Sequence, residues 1–251
     1  MPPALAPGGP WVVDRSEGGC SLLRTFGSGA DAVSVRIDRS PISSTMLFTL
    51  LAPAVDGRDS SERERAVRIE PGLRWRASDA PVERIADKRE KFYLAIPSPK
   101  DLSTATRITF EIGDGREIAI LPTGLPAGLR ALDGCSWRQL QEWGIDPAQV
   151  GRIVQPAVEA RPIVMDDRDF PNEALENGAR GVVTVLWQIL ASGQVSWCRN
   201  VHLSGSTAFA PVPCRAIRAR GRYQPARDAS GSAVESYAIR RVAFWQPKLR
   251  R

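Results

Sequence analysis

Four cysteines carry the most readable chemistry in this chain: Cys20, Cys135, Cys198 and Cys214. None belongs to a Cys-x-x-Cys pair, and a single histidine does not complete a zinc site with the usual spacing, so we expect no metal there. Disulfide formation is the chemistry that remains, and four cysteines permit three pairings. The alternative is four buried free thiols in a reducing cytosol. We expect an oxidising compartment.

Two other clusters contain residue types that catalyse reactions or bind metals. His202, the only histidine, lies close to Ser204, and this pair of residue types suggests a nucleophile and its base. No Gly-x-Ser-x-Gly elbow or convergent carboxylate accompanies them, so we expect a structural role for His202. Asp166, Asp167 and Asp169 lack an EF-hand pattern and are expected to be solvated. The sequence therefore predicts no enzyme activity, no metal and no cofactor.

The composition is that of a folded, basic protein. The 251 residues are 43% hydrophobic and 25% charged, with a formal net charge of +6, which suits one large domain or two of ordinary size. Thirty of the 34 basic residues are arginine. A GC-rich genome produces this bias, and the alternative is a functional basic surface for anionic lipid, glycan or nucleic acid. Because no helix-turn-helix, zinc-finger or RRM signature is present, we expect no nucleic-acid partner.

The chain has no apolar run long enough to predict a membrane-spanning helix, which takes about 18 residues or more. Its first ten residues have neither a basic n-region nor a hydrophobic h-region. They suit the tail left when a signal peptide is removed, and they equally suit a cytoplasmic start. Since the cysteines favour the first interpretation, we expect a periplasmic protein.

The first part of the chain, up to about residue 151, is rich in strand patterns. Residues 107–112 and 117–121 alternate around Gly113-Asp114-Gly115, which predicts a hairpin. No helix follows this turn, so it is not a phosphate loop. The other candidate strands are 11–14, 20–26, 32–37, 46–51, 66–70 and 91–96. A helix is predicted at 125–143, with Cys135 on its apolar stripe and Gly144 at its end.

A second set of elements follows a predicted linker at 147–167, where Pro156 and Pro162 favour extended backbone. A short helix is expected from Pro171. Residues 183, 185, 187 and 189 are apolar and alternate, so this strand should face the core on one side. A turn at Ser192-Gly193, a second strand, a helix from about 211 to 220 and a last strand at 234–244 complete the pattern.

These elements suggest how the cysteines pair. Cys198 falls in the second of these strands and Cys214 in the helix expected to pack on it, so a bridge between them is geometrically natural. It would close a loop of about 15 residues and contribute about 3 kcal/mol in the chain-entropy model. Cys20 and Cys135 would then pair, and would staple the helix at 125–143 to the N-terminal sheet.

The C-terminal pattern resembles the C-terminal domain of the TonB family. The resemblance rests on Gly181-x-Val-x-Val185, Gly193-x-Val195, Ser204-Gly205, Pro225-Ala226 and Gly231, with Phe170-Pro171 at a place where the family usually has Tyr-Pro. Two positions depart from the family: Phe209-Ala210 replaces a usual Leu-Asp, and Asn200 occupies a normally apolar strand position. Burying that asparagine unpaired would cost roughly 1–3 kcal/mol, so it should either form a hydrogen bond or point outward.

The resemblance implies an α+β module with an antiparallel sheet of about three strands and two helices. It also implies binding of a protein or extended peptide of the outer membrane or periplasm, and a link to transport. A TonB energy transducer has in addition an N-terminal transmembrane helix and a long Pro-rich spacer. The sequence given has neither, so we do not expect it to transmit force.

The N-terminal part is similar to a poorly characterised β-rich domain that precedes TonB-type C-termini in some α-proteobacterial envelope proteins. The similarity rests on Trp11, Cys20, Arg24, Phe26 and the segment from Leu132 to Gly144. We therefore expect a mainly-β N-terminal domain with a C-terminal helix at 1–146, the linker at 147–167, a TonB C-terminal-like domain at 168–247 and a basic tail at 248–251.

Two hypotheses for function follow. In the first, an envelope partner adds a strand to the last strand of the sheet, where its free backbone groups pair with an extended peptide. The residues expected to bind are Val234, Glu235, Ser236, Tyr237, Ala238, Ile239, Arg240, Arg241 and Val242. In the second, the module is a scaffold or forms a homodimer, and its basic surface contacts anionic glycan or lipid. An enzyme built on the N-terminal domain has no supporting motif.

Overall fold

A computed structural model describes residues 2–15, 18–43, 45–54, 65–77, 82–85, 88–99, 102–113 and 115–244. The predicted basic tail at 248–251 lies outside these residues. The chain is β-rich with few helices, as the α+β prediction requires, and it divides into two compact units, Met1–Arg138 and Gln139–Arg251.

The first unit is built from two sheets. One has the order β2-β3-β4-β5-β9-β8 and is antiparallel throughout. The other has the order β1-β11-β10-β6-β7, in which only the β1–β11 pair is parallel. The strands are β1 (Ala4–Leu5), β2 (Val12–Asp14), β3 (Ser21–Phe26), β4 (Val33–Asp38), β5 (Thr45–Pro53), β6 (Ala66–Glu70), β7 (Leu73–Arg76), β8 (Glu83–Ile85), β9 (Arg89–Pro97), β10 (Arg107–Glu111) and β11 (Glu117–Ile120).

Alternating apolar residues explain why these segments are strands. Val33, Val35 and Ile37 of β4 are buried in one core, whereas the residues between them are half-buried. The same alternation buries every second residue of β9. The predicted hairpin is confirmed: β10 and β11 pair from Ile108 opposite Ile120 to Glu111 opposite Glu117. The core therefore lies on the inward-facing residues of both sheets.

The helix α1 (Leu125–Glu142) packs on this core, as predicted. Leu125, Leu129, Leu132 and Cys135 are buried in the same apolar cluster as Cys20. Gly128 is needed at the contact, because a Cβ there would lie 2.9 Å from a methyl group of Leu22. The absence of a side chain thus lets the helix approach the sheet closely.

Three of the residues behind the predicted N-terminal resemblance lie together. The Arg24 guanidinium lies 5.5 Å from the ring centroids of both Trp11 and Phe26. Trp11 Nε1 and Arg24 both donate hydrogen bonds to the carbonyl of Thr123, just before α1. Burial lowers the pKa of Arg24. The arginine therefore joins β3 to the start of α1 as part of the packing of this unit.

The second unit contains a three-stranded antiparallel sheet of order β15-β14-β19 and two small sheets, β12-β17-β18 and β13-β16. Its elements after α1 are α2 (Pro147–Gly151), β12 (Ile153–Gln155), β13 (Val158–Glu159), α3 (Asn172–Glu176), β14 (Gly181–Ile189), β15 (Val195–Gly205), α4 (Val212–Arg220), β16 (Tyr223–Gln224), β17 (Ala226–Asp228), β18 (Ala233–Val234) and β19 (Ser236–Phe244).

The core of the second unit lies between α4 and the three-stranded sheet. As predicted, Val183, Val185, Trp187 and Ile189 of β14 face this core. The helix α4 buries Val212, Cys214 and Ile217 against them and exposes Arg215 and Arg218, which is the expected amphipathic division. Phe170 and Phe209 close one end of the core around Phe244, with ring centroids 4.4 Å apart for Phe209 and Phe244.

The segment at 147–167 differs from the extended linker that the sequence predicts. It contains α2 and two short strands, and β12 and β13 pair with β17 and β16. Ile163 is buried in the core under α4. The two prolines that suggested a linker lie between or after these strands, where they interrupt no ladder. The segment is therefore an integral part of the second unit.

Candidate functional site

The strand predicted to bind a partner lies at one edge of the three-stranded sheet. β19 pairs with β14 along its whole length, from Ser236 opposite Ile189 to Phe244 opposite Gly181. Within the described residues no strand pairs with its other side. The backbone N–H and C=O groups on that side are therefore oriented as an added strand requires.

The predicted binding strand is two residues too long at its start. Val234 belongs to β18 and pairs with Ala226 of β17, and Glu235 lies between the two strands, where its carboxylate accepts a hydrogen bond from Gln188 at 2.9 Å. The other seven predicted residues, 236–242, lie in β19. The sequence pattern is that of a strand through residue 235. It therefore does not show that β18, which pairs with β17, ends there and that β19, which pairs with β14, begins after it.

The side chains of β19 alternate between the two faces of the sheet. Ala238 and Val242 pack on the core under α4. Tyr237 and Ile239 lie on the opposite face, because residues an odd number apart point to opposite sides of a strand. β19 therefore directs side chains to both faces of the sheet.

Tyr237 contacts a segment that covers the face opposite α4. Its ring lies 6.0 Å from that of Trp197, and its hydroxyl donates to Gln149 Oε1 at 3.1 Å. Arg199, next to Trp197, donates to the carbonyl of Trp143. These contacts place the chain from residue 143 to 149 beside this face, and Leu186 in the centre of the sheet is fully buried there.

Arg240 connects the core face of β19 to the segment before the sheet. Its guanidinium donates to the carboxylate of Glu159 and, at 3.1 Å, to the carbonyl of Ile163. It also lies 6.0 Å from the ring centroid of Trp187. Close to this pair, burial raises the pKa of Tyr223 to about 12. The middle of the edge strand is therefore held from both faces by residues 143–163.

Residues 167–245 match the family model of the Gram-negative bacterial TonB protein C-terminal domain. This stretch is a TonB-family C-terminal domain. The match covers α3, β14, β15, α4 and β19, which are the elements on which the predicted resemblance was based. No curated protein matches the chain.

The folded unit extends upstream of the matched TonB domain. Glu159 pairs with Tyr223 in the backbone ladder of β13 and β16, and the N–H of Ala160 donates to the carbonyl of Arg222 at 2.8 Å. These residues precede the match, yet their partners lie inside it. The upstream segment therefore completes the TonB domain in this chain.

Two of the three aspartates that could bind a metal, Asp166 and Asp169, are paired with arginines. Arg220 pairs with Asp169 through two hydrogen bonds of 2.5 and 2.8 Å, and this lowers the pKa of Asp169. Arg168 binds Asp166 at 2.6 Å and lowers its pKa. The side chain of Asp167 lies outside what the structure describes. No cluster that would hold a metal ion occurs among the described residues.

His202 is a half-buried residue inside β15, opposite Thr184 of β14. No described carboxylate forms a hydrogen bond or an ion pair with it. Asn200, the polar residue at a usually apolar position, is exposed, and its Nδ2 donates to the carbonyl of Ala210 at 2.8 Å. Both outcomes agree with structural roles.

The cysteines form the two pairs that the sequence suggested. The sulfur atoms of Cys20 and Cys135 lie 2.05 Å apart, and those of Cys198 and Cys214 lie 2.00 Å apart. The first pair joins α1 to the chain just before β3, and the second joins α4 to β15. Each of the two units therefore has its own covalent connection between a helix and a sheet.

Sequence reasoning missed the contacts that hold β19. Glu159 and Arg240 are 81 residues apart, and nothing in the pattern of either segment connects them.

Among the described residues, no helix is both long and apolar enough to cross a membrane.

Proposed function

We propose that this chain is a non-enzymatic protein of the periplasm that binds an envelope partner by adding a strand to β19. The observation that supports the proposal is the position of β19 at the sheet edge, with one side paired to β14 and the other unpaired in the described structure. The TonB-family domain is of a kind found in envelope proteins that couple energy to transport. The partner that suits this edge is an extended segment of an outer-membrane or periplasmic protein.

We further propose a two-domain organisation, in which a β-rich N-terminal domain precedes the TonB domain. The two disulfides support an oxidising compartment, because such bridges persist outside the reducing cytosol. Main-chain hydrogen bonds to β19 would supply affinity, and the side chains on its two faces would supply specificity.

Two side-chain contacts would favour binding by keeping β19 in an extended conformation. Tyr237 and Arg240, which are fixed by Gln149 and Glu159, hold β19 extended before a partner arrives. A preordered strand loses less conformational entropy on binding. Because the same edge is open to a second copy of the chain, homodimerisation through β19 is the alternative function, and it predicts assembly without any added peptide.

The test is an NMR titration of the isotopically labelled full chain with extended peptides from the N-termini of outer-membrane receptors. We expect amide shifts concentrated in residues 236–244. A peptide of the same sequence with alternate backbone nitrogens methylated is the matched control, since it retains the side chains but loses the donors that pair with the strand. Equal shifts with both peptides, or no shifts at millimolar peptide, would contradict strand addition.

Light scattering of the free chain distinguishes the alternative. A mass that doubles with concentration, together with shifts in 236–244 on dilution, would favour homodimerisation over peptide capture.

A further inference from the structure

The two disulfides lie in different surroundings. Cys20 and Cys135 are buried in the apolar core of the first unit. Cys198 and Cys214 contact the core of the second unit, but they also line an open groove of about 780 Å³ between α4 and β15. Only 6% and 8% of their surfaces are exposed, so a molecule that reaches these sulfur atoms must enter the groove.

The groove has a positive charge close to the Cys198–Cys214 bridge. Arg218 lies four residues after Cys214, on the same side of α4, and its guanidinium donates to the carbonyl of Cys198 at 2.8 Å. It therefore lies near both cysteines. None of the described residues that line the groove is acidic. A cation beside a cysteine stabilises the thiolate relative to the thiol.

The position of Cys214 in α4 has the same effect. Cys214 belongs to the first turn of the helix, which begins at Val212, and the preceding Pro211 provides no side-chain cap. The N-terminal turn of a helix carries a partial positive charge. A thiolate at Cys214 is therefore stabilised by the helix as well as by Arg218.

Asn200 provides a contact that favours the reduced bridge. Its Nδ2 donates to the carbonyl of Ala210, and its Oδ1 lies 3.9 Å from the sulfur of Cys214. In a disulfide this sulfur carries no hydrogen, so a hydrogen bond forms only when Cys214 is a thiol. The polar residue at this usually apolar strand position thus lies where it stabilises the reduced form.

The bridge of the first unit lacks these features. Cys135 lies in the middle of α1, away from both ends of the helix, and apolar surroundings disfavour a thiolate. Exchange between a thiol and a disulfide is faster when the thiol that leaves has a lower pKa. The Cys198–Cys214 bridge should therefore exchange with an external thiol, whereas the Cys20–Cys135 bridge should resist it.

We propose that the Cys198–Cys214 bridge is a site of thiol–disulfide exchange, and that its substrate is a dithiol that enters the groove between α4 and β15. One thiolate of the dithiol attacks the sulfur of Cys198, the S–S bond breaks, and Cys214 leaves as a thiolate at the start of α4. The second thiolate then attacks the substrate sulfur of this mixed disulfide and releases Cys198 as a thiolate beside Arg218.

The exchange transfers two electrons. The dithiol loses them and becomes a disulfide, the bridge gains them, and the two protons of the dithiol end on Cys198 and Cys214. The reverse sequence forms the bridge. This site lies apart from the proposed binding strand, because β19 contributes no residue to the groove.

The experiment uses the full chain with both bridges formed, at neutral pH, and dithiothreitol as the dithiol. Free thiols are blocked with N-ethylmaleimide at successive times, and each blocked cysteine is quantified by mass spectrometry. We expect Cys198 and Cys214 to be blocked at least about tenfold faster than Cys20 and Cys135. The rate should not change in dilute urea, since the groove admits the dithiol without unfolding.

The variant Arg218→Gln tests the contribution of the cation. It should slow the reduction of the Cys198–Cys214 bridge severalfold, because both thiolates lose their positive neighbour. Loosening of α4 would make reduction faster, so a slower reaction cannot result from destabilisation. The matched control is Arg180→Gln, since Arg180 is exposed and lies beside Gly205 at the far end of β15. Its rate should equal that of the unmodified chain.

Equal rates of reduction for the two bridges would overturn the proposal. A rate for Cys198 and Cys214 that rises in dilute urea would also overturn it, because the sulfur atoms would then react only after unfolding. The third contrary result is an Arg218→Gln variant that reacts as fast as Arg180→Gln. None of these outcomes bears on the β19 titration, which is carried out with both bridges intact.

Discussion

Arg240 of β19 donates a hydrogen bond to the carboxylate of Glu159, a residue of β13 that precedes the TonB-family match. The pair joins the edge strand to the segment 147–167, which the sequence predicts to be a linker. Its two side chains are partly buried, with exposed fractions of 32% and 24%. An ion pair that is shielded in this way is worth more than a fully exposed one.

Replacing Glu159 with glutamine should therefore destabilise the second unit. The change leaves the Arg240 guanidinium without its carboxylate, and we expect a loss of about 1–2 kcal/mol in the free energy of unfolding. Urea unfolding followed by tryptophan fluorescence measures it. The matched control is Glu176→Gln, which removes a carboxylate from an exposed residue of α3. Equal losses in the two variants would show that the Glu159–Arg240 pair does not stabilise the fold.

Glu111 should make the first unit sensitive to acid. Hydrogen bonds from Arg74, at 2.6 and 3.1 Å, and from Arg68, at 2.8 Å, lower the pKa of Glu111 to about 2. The unfolded chain binds this proton near pH 4.3, so between these values the unfolded state holds more protons than the folded state. The stabilisation is complete above about pH 4.3 and is lost as the pH falls towards about 2.

Unfolding in urea at several pH values tests this dependence. At neutral pH we expect Glu111→Gln to be less stable than the unmodified chain by about 1–3 kcal/mol, discounted for the exposure of Arg74. The difference should shrink as the pH falls through this range. A difference that stays constant down to about pH 2 would exclude the proposed cause, since a mere loss of packing does not depend on pH.

Gly193 should be far less tolerant of a side chain than Gly231. Both glycines have positive φ angles, 80° and 81°. A Cβ at Gly193 would lie 2.0 Å from the carbonyl oxygen of Tyr223, whereas a Cβ at Gly231 would have no atom within 4 Å. We expect Gly231→Ala to cost about 1–2 kcal/mol for its backbone conformation alone.

Gly193→Ala should cost more than about 3 kcal/mol, because the turn between β14 and β15 must also move away from Tyr223. Thermal unfolding of the two variants measures the difference. Similar melting temperatures would mean that the backbone at Tyr223 moves with little loss of stability.

The two disulfides should contribute unequally. In the chain-entropy model the Cys198–Cys214 bridge, with a sequence separation of 16 residues, contributes about 3 kcal/mol, and Cys20–Cys135, with a separation of 115, contributes about 5 kcal/mol. Replacing each pair with serine and comparing thermal unfolding tests the order. A larger loss from the 198–214 pair would indicate that local packing, not loop closure, sets the contribution.

The sequence was most informative where one residue pattern decides the structure. The alternation of Val183, Val185 and Trp187 predicted β14, and the apolar stripe with Cys135 predicted α1 at almost its observed length. Cysteine pairing followed once a strand and a helix were placed next to each other. These features depend on local periodicity, which a single sequence displays.

The sequence could not show the features that depend on distant partners. β12 and β13 are strands only because β17 and β16 pair with them, and such short segments have no periodicity of their own. The break at Glu235 is invisible for a similar reason, because β18 and β19 are both extended and differ only in their partners.

The three-stranded sheet has two edges, and they should treat a second copy of the chain differently. Two copies that meet through β19 pair antiparallel about a twofold axis, which gives a closed dimer. At the β15 edge, Arg218 donates to the carbonyl of Cys198 at 2.8 Å, so this acceptor already has a partner inside the chain. Growth into a filament requires both edges to pair in succession. We therefore expect Arg218 to favour closed pairs of chains over open-ended growth of the sheet.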